Sequence, residues 1–190
     1  MSCSRSSGCA HSAKVCALYA PKVDEAECEG AIQLAAAWLG KVEPKTNQDR
    51  IWRLLRLAWA ATDKNATRKA LRELLTAQRS DGGWPDLPSM ESNAYATGRA
   101  LVALQTAGLA VSDPAYQRGL QFLLNTQMED GSWYVKTRAL ALQPYFDNGF
   151  PYGVDQWISA AGTSWATMAL TLASQAQANS TSVARLHREE

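Results

Sequence analysis

The chain has 190 residues, with 19 Lys+Arg against 18 Asp+Glu, so its formal net charge is only +1. That excludes the strong basic field expected of a nucleic-acid binder or of a protein held to an anionic membrane surface. With 46% hydrophobic and 19% charged residues, it also excludes a disordered, solvating chain and favours a compact helical protein rich in Ala and Leu.

The N-terminal segment, residues 1–23, reads as a disordered Ser- and Cys-rich tail. It holds Cys3, Cys9 and Cys16, with His11 among them and Cys28 just beyond. No Cys-x-x-Cys pair occurs, so a zinc knuckle has no support and the thiols read as reduced. The basic start and apolar run of a secretory signal are missing, which makes the cytoplasm the default compartment. The longest uncharged stretch, Gln156 to Ala184, is interrupted by Ser, Thr and Gln. Its apolar part is shorter than the roughly 20 residues a membrane span needs.

Residues 24–178 read as one helical repeat domain. Asp24 and Glu27 have capping-box spacing, Ile32, Ala35, Ala36 and Leu39 recur at helical intervals, and Gly40 is a stop signal. Thr46 or Asn47 can cap a second helix with the stripe Ile51, Leu54, Leu55, Ala58 and Trp59. A third begins near Asn65 and breaks at Asp81-Gly82-Gly83. A fourth runs from near Ser92 to Gly108, with Tyr95, Leu101, Val102 and Leu104 as core candidates. Ser112-Asp113-Pro114 starts a fifth, which breaks at Asp130-Gly131. A sixth spans roughly Gly162 to Ala178, and residues 179–190 form a polar tail expected to fray. Period-2 alternation is absent, so the fold class is all-α.

One pattern occurs twice in register. Lys69-Ala70 … Gln78 … Asp81-Gly82-Gly83-Trp84 is matched by Arg118-Gly119 … Gln127 … Asp130-Gly131-Ser132-Trp133. Ala96-Thr97 and Ala166-Thr167 read as a matching step in the helix that follows each copy. The unit is helix, turn, helix, and a repeated helix pair points to a solenoid or a closed α/α ring. Gly82 and Gly131 suit the positive φ that ends a helix. Trp84 and Trp133 are large enough to cover a helix end, and Gln78 and Gln127 can bond its open backbone groups. These six residues read as structural.

The two copies resemble the QW repeat of squalene–hopene cyclases, oxidosqualene cyclases and related prenyltransferase-repeat proteins, over about Asn47 to Ala178. The resemblance implies a partial α/α toroid of about six helices in helix-pair repeats. A full ring of that superfamily carries more helices, so half a ring or a C-terminal fragment is implied. The family's chemistry does not carry over. No Asp-x-Asp-Asp acid motif occurs, the cysteines lie in the first 28 residues, and neither His11 nor His187 is within the repeats. No catalytic residue is inherited, and no cofactor or metal is implied.

The segment that can hold chemistry is an insertion between Trp133 and the sixth helix. It contains Lys136, Arg138, Gln143, Pro144 and the run Tyr145-Phe146-Asp147-Asn148-Gly149-Phe150-Pro151-Tyr152-Gly153-Val154-Asp155-Gln156-Trp157. Long ordered loops on helical scaffolds often carry function. Three readings stand: an ordered aromatic cap on the end of the helix array, an apolar binding loop, or a paired-carboxylate site using Asp147 and Asp155. The ligand candidates are Tyr145, Phe146, Phe150, Tyr152, Gln156 and Trp157, and the resemblance implies an isoprenoid-like small molecule. Lys136 and Arg138 are anion contacts or solvated surface. The alternatives are an interaction or assembly module, as a homodimer or with a larger toroid partner, and a fragment of a terpenoid cyclase.

Overall fold

Side-chain caps begin the second and fifth helices where the spacing places them, at Thr46 and Asp113. Thr46 Oγ1 accepts from the Asp49 amide at 3.1 Å while Asp49 Oδ2 accepts from the Thr46 amide at 2.9 Å, a reciprocal capping box. Asp63 Oδ1 accepts from the Asn65 and Ala66 amides. Asp113 Oδ1 accepts from Ala115, with Pro114 in the first turn. The fourth helix is capped by Asn93, whose Oδ1 accepts from the Ala96 amide at 2.9 Å. Ser92 instead donates to Asp81 Oδ1.

A computed structural model describes the backbone of residues 25–61, 63–138 and 145–186 and the side chains of 29–61, 63–138 and 145–178. The elements are α1 (Glu25–Lys41), α2 (Asn47–Ala60), α3 (Lys64–Thr76), α4 (Ala94–Thr106), α5 (Pro114–Asn125) and α6 (Gln156–Leu186), with a 3-10 turn at Gly153–Asp155 before α6. Among the described residues there is no strand, and the chain is all-α. The arrangement is consistent with a partial α/α toroid. The expected N-terminal tail, its three cysteines, the Asp24 cap, Gln143 and Pro144 lie outside the described residues, as does the Cys28 side chain. The last helix differs from expectation. It begins at Gln156 and stays helical through Leu186, because no Pro or Gly breaker follows Gly162.

The helices form two rows. α4 lies between α2 and α6, while α1 and α3 pack on α2 and α5 packs on α4. α4 is therefore buried nearly all round, with Ala96, Ala100, Leu101, Ala103 and Leu104 wholly inaccessible. Small residues on α4 let its neighbour come close. A Cβ added at Gly98 would stand 2.6 Å from the Trp165 carbonyl carbon on α6.

The apolar stripe of α2 holds a residue that its periodicity does not announce. Arg53 is buried, and its Nε and Nη2 donate to the Leu39 and Gly40 carbonyls at the end of α1. Its Nη1 pairs with Glu73 of α3 at 2.7 Å. One guanidinium thus satisfies the open carbonyls of one helix and ties down the next.

Candidate functional site

The two repeat turns agree bond for bond. Trp84 Nε1 donates to Leu74 O and Trp133 Nε1 to Leu123 O, both at 2.8 Å. Gln78 Nε2 donates to Gly82 O, and Gln127 Nε2 to Gly131 O. Gly82 and Gly131 have φ of +85° and +81°. The Trp84 amide donates to Thr97 Oγ1, and the Trp133 amide to Thr163 Oγ1. The residue matching Thr97 is therefore Thr163, not Thr167. The two intervals are 13 and 30 residues. The Ala-Thr spelling is misleading because Thr163 follows Gly162, not Ala.

What lies against the turns differs. Gln78 also donates to Ala115 O on α5 and accepts from Arg118 Nη2. Phe122 of α5 and Ser92 crowd Gly83, where an added Cβ would meet Ser92 Cβ at 2.6 Å and the Phe122 ring at 3.0 Å. Among the described residues the second turn has no such neighbour, and Gln127 is exposed. Ser132 stands where the first turn has Gly83. Its hydroxyl lies 2.6 Å from Asp130 Oδ1 and 2.5 Å from the Tyr152 hydroxyl. The Ser132 hydroxyl and, behind it, the Ser132 amide both donate to Asp130 Oδ1 and hold its carboxyl below its ordinary value.

Through Tyr152 the insertion is fastened to the second turn. The Tyr152 ring meets Tyr134 edge-on at 5.3 Å and Phe150 at 6.3 Å. Gln156, buried at the start of α6, accepts from the Asn148 amide and donates to Phe146 O. Asp155 accepts from the Tyr134 hydroxyl at 2.9 Å and the Thr137 amide at 2.7 Å. Its bond raises the Tyr134 phenol above its ordinary value. Asp147 is exposed and accepts from the Gly149 amide, an Asx turn. Each carboxylate thus shapes its own part of the loop. Tyr145, Phe146 and Trp157 stand 59%, 68% and 59% exposed, while Phe150 and Tyr152 are half-buried.

A second cluster crosses the row of α2, α4 and α6. Arg99 of α4 is buried, and its Nη2 pairs with Asp86 Oδ1 at 2.5 Å. Its Nε donates to Tyr95 O, and its guanidinium carbon lies 3.8 Å from the Tyr95 ring centre and 6.0 Å from that of Trp52. Arg138 Nη1 stands 3.6 Å from the other Asp86 oxygen, and its Nη2 donates to Gln48 Oε1. Trp52 of α2 meets Trp165 of α6 edge-on at 6.2 Å, with Arg56 over the Trp52 ring. Burial pushes the Arg99 guanidinium below its ordinary value, and Arg138 adds to that, against the pull of Tyr95 and Asp86.

Periodicity assigns Tyr95 to the core and leaves Asp86, Arg99, Trp52 and Trp165 unremarked. The available signal was an Arg amid the apolar residues of α4, 13 positions after an Asp, since a charge on a buried face needs a partner. Lys136 is exposed. Among the described residues no group of three or more His, Cys, Asp or Glu could hold a metal ion.

The fold and its repeated turns define a helix-pair repeat protein. The chain belongs to the squalene–hopene cyclase N-terminal domain family, whose profile matches residues 30–127. It is 34% identical over 108 residues to a squalene–hopene cyclase of Bradyrhizobium diazoefficiens, a stretch that makes up 51% of this chain and 15% of that relative. The match to an N-terminal domain replaces the expected C-terminal assignment. Among the described residues no helix is long and apolar enough to cross a membrane.

Proposed function

We propose that this chain is a squalene cyclase-like repeat domain of QW type that binds an apolar, isoprenoid-like ligand and does not cyclise it unaided. The observation that carries the reading is the exposure of Tyr145, Phe146 and Trp157 on a loop whose backbone is pinned by buried Gln156. Large rings held out on a fastened loop are a binding surface rather than a failed core. Membership of the family supports an isoprenoid as the ligand class. In this reading Phe150, Tyr152 and Gln156 hold the shape, and Asp147 and Asp155 do no acid–base work. No Asp-x-Asp-Asp acid lies within the 190 residues, which supports binding without cyclisation in this stretch. Native mass spectrometry with squalene tests it. A 1:1 adduct that is lost in Phe146→Ser/Trp157→Ser supports the reading, and no adduct under any loading overturns it.

A second reading, an assembly module completing a toroid, is favoured by the asymmetry of the two turns. Gln127, Leu124 and Met128 stand exposed on the side where α5 covers the first turn. A second copy of the chain, or a larger partner with a similar outer helix, fits there. Light scattering across a concentration series tests it. Dimerisation abolished by Leu124→Glu supports it, and a monomer at all concentrations removes self-assembly.

A further inference from the structure

Arg99 leaves one polar atom unanswered. Nε has the Tyr95 carbonyl and Nη2 has Asp86, but among the described residues Nη1 is buried without a hydrogen-bond partner. A buried donor left open is costly, more so on a charged group, so native structures seldom keep one without a reason. The charge around it is also unbalanced. Arg99 and Arg138 both lean on the one carboxylate of Asp86. Arg99 and Asp86 are 1% and 4% exposed and Arg138 is 32% exposed, so two guanidiniums share one carboxylate and the surplus positive charge lies at the edge of a poor solvent for it.

We infer that the Arg99–Asp86–Arg138 cluster is an oxyanion-binding site, taking the phosphate or carboxylate head of a small molecule between Arg138 and the free Nη1 of Arg99. The guanidinium fork suits such a group, because it offers paired, charge-assisted donors. Asp86 acts as the positioning carboxylate that sets the two forks at one place. Arg138 supplies the way in. Its side chain is 32% exposed, and its contact with Asp86 at 3.6 Å is loose enough for it to turn onto an incoming anion. The Trp52 and Trp165 rings beside the cluster are only half-buried and offer an apolar wall to whatever the head group carries. Arg138 comes from the start of the insertion, but the cluster uses none of the loop's aromatic rings, and it stands whether or not they bind an isoprenoid.

Isothermal titration of the whole chain in chloride buffer with inorganic phosphate, pyrophosphate and dodecyl phosphate tests the inference. Saturable 1:1 binding of at least one is expected. Arg138→Gln should weaken it by about tenfold or more, the loss of one charge-assisted bond, with an unchanged melting temperature. Arg72→Gln, on the exposed face of α3, should leave it unchanged. Arg99→Lys keeps the charge but not the fork and should also weaken binding; since that buried substitution can unfold the chain, Arg138→Gln is decisive. Tighter binding of dodecyl phosphate than of inorganic phosphate would identify the head of an amphiphile, and equal binding a free anion, and both support the site. No saturable binding of any probe, or binding that Arg138→Gln leaves intact, overturns it.

Discussion

The Ser132 hydroxyl and the Tyr152 hydroxyl lie 2.5 Å apart, and that pair closes the turn of the second repeat with the insertion that follows it. In the first repeat the same position is Gly83, and the ring of Phe122 occupies the space. One turn is sealed by the next helix, the other by a loop. The substitution of Ser for Gly is the local record of that difference.

The two positive-φ glycines should respond unequally to alanine. Gly131→Ala adds a Cβ that, among the described residues, has only Gln127 Nε2 within 4 Å, at 3.9 Å. Its cost is the left-handed backbone alone, about 1–2 kcal/mol. Gly82→Ala carries the same backbone cost and also places Cβ 2.5 Å from Arg118 O, which forces α5 away from the turn. Urea unfolding should show a distinctly larger loss for Gly82→Ala. Equal losses would mean that the first turn is not clamped by α5.

Ser132→Ala should free Tyr152 and leave Asp130 with the residue-132 amide alone. The Asp130 carboxyl, now held low by its bonds to Ser132, should titrate nearer its ordinary value once the hydroxyl is gone. Carboxyl-detected NMR titration reads this directly. The sign follows from the depressed folded value: the group favours folding above its unfolded pKa and loses that contribution as pH falls through the folded one.

Tyr116 makes an alkaline prediction. Burial raises its phenol to about 12 from an ordinary 10, and its hydroxyl donates to Gln105 Oε1 at 3.3 Å. A raised folded value means that the folded state holds the proton longer than the unfolded chain. Stability is therefore complete below about pH 10 and falls as pH climbs towards 12. Tyr116→Phe should flatten that fall in a denaturation series from pH 9 to 12. An unaltered slope would assign the effect to other groups.

Asp86→Asn should be the costliest polar change in the chain. It removes the partner of a guanidinium that is 1% exposed, and breaking a buried ion pair from one side costs about 3–5 kcal/mol. Thermal unfolding should show the drop, whereas Asp147→Asn, at an exposed Asx turn, should cost well under about 1 kcal/mol.

The helices, their order, the caps at Thr46 and Asp113 and the register of the two repeats are legible in the sequence, because caps, helical spacing and glycine turns act over a few residues. Thr46, Asp113, Gln78 and Trp84 declare themselves in that way. The cluster on Arg99 does not, because Asp86, Arg99 and Arg138 belong to separate segments that meet only when α2, α4 and α6 are stacked in register. Periodicity states which face of a helix is buried but not which residue of a neighbour lies against it, so a charge on such a face has no visible partner until the helices pack. The Thr97–Thr163 correspondence failed in sequence for the same reason. Spelling pairs Ala-Thr with Ala-Thr, but the Trp133 amide selects the hydroxyl that packing brings within 3.0 Å.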